Sequence, residues 1–222
     1  MKLMHPSFSS PLCWDDSPIV TLTVENPVQY REMVMDLLNQ SEGLKGSFVL
    51  SEDDTPVEIS RHMELITDPY RLEPSENKRI INAMQKEAAV TAANEMLAEF
   101  ADIYSSIAAA MAELVFKANQ DAVFDPISDS SQLIKLVNWR PDTHQLSLPE
   151  KLLLYMELCQ RYLKTDFFVL FQMRACMSQE ERDSFCKQAE YHSWKLLLLE
   201  SSGCQSEPQE HQLILDDDLC EL

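Results

Sequence analysis

The sequence predicts an α/β fold, a head built around a buried parallel sheet and interrupted by an inserted long-helix leg. Two apolar runs carry the first half of that reading. Phe167-Phe168-Val169-Leu170-Phe171 and Leu196-Leu197-Leu198-Leu199 are strand-length and do not alternate with polar residues. Strands of that kind are covered on both faces, as in parallel sheets. Between them lies a polar helix-forming stretch, Ser178 to His192, opening with Ser178-Gln179-Glu180-Glu181, a capping-box pattern. The whole reads as a βαβ unit. The third observation is the absence of glycine and proline between Pro74 and Pro126, which leaves room for a long helix.

The remaining elements follow in chain order. Ile19-Val20-Thr21-Leu22-Thr23-Val24 is strand-like, and Pro27 opens a helix to about Leu38. Gly46-Ser47-Phe48-Val49-Leu50 and His62-Met63-Glu64-Leu65-Ile66 read as further strands, with Ser51-Glu52-Asp53-Asp54 as a turn. Apolar residues then recur at Val90, Ala93, Leu97, Phe100, Tyr104, Ile107, Met111 and Leu114, spaced alternately by three and four. That is a heptad seam. About forty helical residues would run roughly 60 Å, longer than a small domain is wide, so the seam is read as core or oligomer interface. Met96, Ile103 and Ala110 widen its apolar face. Shorter helices are expected near Ser131–Arg140 and from Leu148 to Lys164, the latter opening with Ser147-Leu148-Pro149-Glu150, a second capping box with an early proline. Gln212-Leu213-Ile214-Leu215 is a last strand after a loose connection, Ser201 to Gln209. The expected division is a head of residues 1–75 and 141–222 and a leg of residues 76–140.

Parallel α/β cores place ligands at the C-terminal ends of their strands, and here the parts for a nucleotide are missing. The chain has three glycines, Gly43, Gly46 and Gly203, and neither G-x-x-x-x-G-K-[ST] nor G-x-G-x-x-G occurs. Without glycines, backbone N–H groups cannot close around phosphates. Glu200, closing the Leu196–Leu199 run, has the look of a metal-binding acid at a strand end. With no phosphate loop, an ordinary acid ending a strand is the simpler reading.

Charge limits the partners. The net charge is −19, which repels nucleic acid overall. It is unevenly spread. Residues 1–129 carry 9 basic and 22 acidic side chains, residues 130–195 carry 9 and 8, and residues 196–222 carry none and 7. A surface facing a polyanion would draw largely on 130–195. The six cysteines form no C-x-x-C pair, so reduced structural thiols are expected. No apolar signal region or membrane-length run occurs, which fits a cytoplasmic protein.

Several stretches together carry a resemblance. They are Val24-Glu25-Asn26-Pro27 with Tyr30-Arg31-Glu32, Gly46 to Asp53, Glu64-Leu65-Ile66-Thr67-Asp68-Pro69, the strand–loop–helix from Phe167 to Phe185, Leu196 to Glu200, and Ile214-Leu215-Asp216-Asp217-Asp218-Leu219-Cys220. In order and spacing the chain resembles the DNA-end-binding accessory family of type II-A CRISPR systems, used in spacer acquisition, in a compact and divergent branch. The resemblance implies a P-loop-NTPase-like head with a degenerate nucleotide site and a helical leg. It implies a homotetrameric ring threading double-stranded DNA ends without reading sequence, no catalytic activity, and work beside integrase subunits and an effector nuclease in antiviral defence. It points to Lys135 and Arg140, after the long helix, as DNA-contacting residues, with Lys164 and Arg174 as weaker candidates. It also implies calcium, for which the corresponding acids are Asp121, Asp125 and Asp129. The chain departs from the family there, since Ala122, Val123, Pro126 and Ile127 stand among them. Two other classes remain open, a degenerate NTPase-like protein–protein adaptor without DNA contact, and a metal-dependent hydrolase using Glu200, the C-terminal aspartates, His192 and His211.

Overall fold

A computed structural model describes residues 1–15, 17–118, 121–202 and 211–222. The chain divides into two compact units, Met1–Glu73 with Gln145–Leu222, and Pro74–His144.

The first unit is a mixed α/β structure. Its elements are β1 (Lys2–Met4), β2 (Leu12–Cys13), β3 (Ile19–Val24), α1 (Pro27–Ser41), β4 (Val49–Glu52), β5 (Thr55–Val57), α2 (Ile59–His62) and β6 (Met63–Ile66). From the second part of the chain come α6 (Leu148–Leu158), β7 (Phe167–Phe171), α7 (Gln179–Tyr191), β8 (Lys195–Glu200) and β9 (His211–Leu215). Five strands form one sheet in the order β6-β7-β8-β3-β9, and every pairing in it is parallel. β7, α7 and β8 are the expected βαβ unit, with Phe167 paired to Lys195 and Phe171 to Leu199.

Alternation along the strands divides the core. Val20, Leu22, Val24, Phe167, Val169, Phe171, Leu197 and Leu199 belong to one cluster with Leu3 of β1, Leu12 of β2, Leu50 of β4, Trp14 just after β2, and Met33 and Leu37 of α1. On the opposite face Phe168 meets Trp194 edge-on at 5.8 Å, and the Tyr155 hydroxyl of α6 donates to Glu64 Oε1 at 2.7 Å. All the apolar side chains of β7 and β8 are buried, because both faces are covered. Fully burying one such side chain is worth about 1.5–3 kcal/mol. Both capping boxes form, at Ser147 with Glu150 and at Ser178 with Glu181.

Several sequence expectations need correction. β1 and β2 were not anticipated. They are too short to show a period, and they join β4 and β5 in a second sheet, antiparallel, in the order β2-β1-β4-β5. The strand expected over 46–50 begins only at Val49, and the turn narrows to Asp53 and Asp54, both at positive φ (48° and 59°). Such a two-residue turn matches the twist of a hairpin. His62 ends α2 rather than starting β6. α6 stops at Leu158 and continues as a wider π-type turn over Cys159–Leu163, closed by Lys164 at φ 61°. The loose connection expected over Ser201–Gln209 lies largely outside the described residues.

The second unit holds α3 (Lys78–Glu95), α4 (Leu97–Ala118) and α5 (Ser130–Leu136). The single forty-residue helix is therefore two helices. Met96 leaves helical geometry at φ −131°, ψ 29°, although no glycine or proline marks the spot. Packing accounts for the difference. α3 buries Ile80 and Ala92 and lies against α5, where the Ser130 hydroxyl donates to the Ala89 carbonyl at 3.2 Å. α4 buries none of its side chains. The seam therefore stays at the surface within the chain, with Leu97 70% and Leu114 57% exposed.

Candidate functional site

Because the five-stranded sheet is wholly parallel, the C-terminal ends of its strands share one edge, the place where such folds bind ligands. Among the described residues, the ends of β3, β7 and β8 are occupied by the protein's own groups. After β3, the Asn26 side chain accepts hydrogen bonds from the N–H groups of Val28 and Gln29, at 3.0 and 3.1 Å. Pro27 removes a further N–H at the first helical position. The start of α1 thus spends on its own cap the donors that a phosphate would need. Asn26 Nδ2 also donates to the Asp217 carbonyl at 2.9 Å, and the Glu25 N–H to the Leu215 carbonyl at 2.9 Å. These bonds stitch the junction to the end of β9.

After β7 the chain turns through Gln172 at φ 55°. Its N–H donates to the Leu199 carbonyl at 3.0 Å, and its side-chain amide donates to the Tyr30 hydroxyl at 2.9 Å. Glu200, ending β8, is buried at 4% exposure. Its carboxylate accepts the Arg174 backbone N–H at 3.1 Å. Burial, with the Glu200 charge adding to it, holds the Tyr30 phenol above its ordinary value, while the Gln172 contact works against the shift. Tyr30, Gln172 and Glu200 form a filled polar edge. Phosphate-loop motifs do not reveal its packing role. The available signal was Asn26 standing before Pro27, an N-cap followed by proline at the first helical position.

The basic candidates are divided between the two units. In the first unit Lys164 precedes β7 and Arg174 follows it, so a five-residue strand of about 17 Å separates them. Lys164 is exposed and donates to the Arg161 carbonyl at 2.9 Å. Arg174 is half-buried. In the second unit Lys135 lies in the last turn of α5, and Arg140 follows in a loop. Both are exposed. Arg140 lines a hollow of about 350 Å³ with Ser75, Asp142, Thr143 and His144.

The three acids proposed for calcium do not converge. Residues 121–129 form neither helix nor strand, and all three side chains are exposed. Asp129 caps α5, accepting from the Ser131 N–H at 3.0 Å and the Ser131 hydroxyl at 2.5 Å. Those bonds hold its carboxyl below the ordinary value. Among the described residues no group of three or more His, Cys, Asp or Glu side chains is placed to hold a metal ion. Calcium asks for six to eight converging oxygens, and the Asp121, Asp125 and Asp129 set does not fit it. The hydrolase reading meets the same obstacle. Asp216 turns inward to accept the N–H groups of Asp218 and Cys220, at 2.9 and 2.7 Å. His192 lies 3.3 Å from Glu157 and stacks on Trp194. No helix among the described residues is long and apolar enough to cross a membrane.

Comparison with known proteins adds one firm relationship. A family model described as CRISPR-associated protein (Cas_Csn2) matches residues 40–219. No curated protein matches the sequence. Among solved structures, one described as an ABC transporter (ATP-binding protein) from Pyrococcus furiosus is matched over 96% of this chain and 97% of its own. At 11% identity and a TM-score of 0.40, that likeness carries no argument.

Proposed function

The chain belongs to the CRISPR-associated protein (Cas_Csn2) family of type II-A systems, and from that premise we propose that it is a non-catalytic protein holding double-stranded DNA ends in a homotetrameric ring. A role in CRISPR adaptation follows from the membership. The family match over residues 40–219 is the observation that carries the reading. Three physical features support it. The strand–loop–helix junction of β3 and α1 stands where a P-loop would stand, yet its donors are spent on Asn26, which suits a degenerate P-loop-like head without a nucleotide. The exposed seam of α4 suits assembly. The nearly balanced charge of residues 130–195 in a chain of −19 suits a ring whose lumen attracts phosphates while its exterior repels them. The partners in this reading are duplex DNA, further copies of the chain, the integrase subunits and the effector nuclease.

A gel shift with one duplex, supplied linear and as closed circles, tests the function. Threading from ends predicts retardation of the linear form only. Equal retardation of circles would replace threading by a surface patch. No retardation of either form would leave the adaptor reading.

A further inference from the structure

The basic residues of the second unit are distributed in a way the linear sequence conceals. α3 and α5 are forty residues apart in the chain but lie side by side. Gln85 Nε2 donates to the Trp139 carbonyl at 3.1 Å, tying α3 to the loop that carries Arg140. Residues 74–90 and 129–144 together hold five bases, Lys78, Arg79, Lys86, Lys135 and Arg140, against four acids, Glu76, Glu87, Asp129 and Asp142. Residues 91–128 hold one base, Lys117, against six acids. The α3–α5 end is thus net +1 and the rest of the unit net −5.

A groove of about 460 Å³ runs between the two helices. Lys86 and Lys135 both line it, with Asn82, Gln85 and Ser131. Both lysines are exposed. Exposure leaves each ammonium room to turn toward a ligand, the Lys135 one beside the Asp129 carboxylate, whose charged form it helps to favour. Asp129 also lines the groove, but its oxygens already accept from Ser131. The Ser131 hydroxyl is spent on Asp129 and one Gln85 Nε2–H on the Trp139 carbonyl, so what the groove offers a phosphate oxygen is two cations, the Asn82 amide and the second Gln85 N–H. Lys117, by contrast, is held 2.5 Å from Glu113 on α4.

We propose that the α3–α5 groove is a phosphate-backbone contact of this protein, with Lys86 a DNA-contacting residue beside Lys135. The inference rests on the DNA-binding reading above and names the part of the second unit that serves it.

The test measures affinity for a linear duplex at 50 and 200 mM salt, for the wild type, Lys86→Ala, Lys135→Ala and Lys117→Ala. One lost phosphate contact removes about 0.9 from the slope of log affinity against log salt, so the ratio of the two affinities should fall about threefold. Lys86→Ala and Lys135→Ala should each show that fall, without altering circular dichroism or oligomeric mass, and Lys117→Ala should not. If the wild type binds and Lys86→Ala keeps its slope, the groove assignment is overturned and the DNA reading stands. If Lys117→Ala falls as much as Lys86→Ala, the effect is of overall charge, and the groove is again overturned. If the wild type binds no duplex, both fail together.

Discussion

His5 is a titratable side chain placed where charge is unwelcome. It is 7% exposed, its ring lies 4.6 Å from that of Phe48 and 5.5 Å from that of Phe8, and its Nδ1 accepts the Ser7 N–H at 3.2 Å. Burial lowers its pKa from 6.5, with Asp36 opposing weakly. Protonation at Nδ1 would also break the Ser7 bond. Between the lowered value and 6.5 the unfolded chain holds a proton that the folded chain does not, so stability rises with pH in that window. The contribution is complete above 6.5 and is lost as pH falls toward the folded value. Urea midpoints at pH 7.5 and 5.5 should therefore differ in the wild type, and differ less in His5→Asn, whose amide oxygen can still accept from Ser7. An equal drop in the variant would remove His5 as the source. Nothing in the local sequence Met4-His5-Pro6 signals this burial, since Phe48 reaches His5 only through the pairing of β1 with β4. The cap residues differ in this respect. Ser178 with Glu181 and Ser147 with Glu150 were legible because the bonds join residues three apart.

Elements were legible where their cause is local and obscure where it is tertiary. The runs Phe167–Phe171 and Leu196–Leu199 announce a buried parallel sheet because both faces need apolar residues. Of the second sheet only β4 shows, in the run Gly46–Leu50, for its strands are two to four residues long. The division of α3 from α4 at Met96 was equally hidden, because it follows packing on α5 rather than a breaker residue. That packing also hid Lys86, which linear charge sums group with the acidic stretch after it. The filled strand edge was half legible. Missing glycines exclude a phosphate loop, but only the structure gives Asn26, Gln172 and Glu200 as what fills the space. A site closed by its own hydrogen bonds should not open for nucleotide. Calorimetry with magnesium and ATP should give no saturable heat, and a micromolar dissociation constant would refute the degenerate reading of the head.

At the scale of the whole molecule, charge and apolar surface oppose each other. Leu97, Ile103, Met111, Leu114 and Phe116 of α4 are 70%, 43%, 36%, 57% and 84% exposed. Three to four spacing puts Leu97, Met111 and Leu114 on the seam, with Ile103 widening it, so the face can be buried as a unit by a second helix. At about 25 cal/mol per Å² of apolar surface removed from water, covering such a face favours association. Copies each carrying −19 repel one another, and added salt screens that repulsion within about 10 Å at 0.1 M. Assembly and DNA binding should therefore respond to salt in opposite directions. Apolar burial persists while self-repulsion weakens, whereas phosphate contacts lose the entropy of counterion release. Light scattering at micromolar concentration should report about four times 25.5 kDa, with the assembled fraction unchanged or higher at 0.5 M salt than at 0.05 M. Replacing Leu97 and Leu114 together by lysine puts two charges into the seam. It should lower the mass while leaving the circular dichroism intact, because neither side chain is buried within the chain. A wild type that stays monomeric at every concentration and salt would end the ring reading and leave the exposed seam to a different protein.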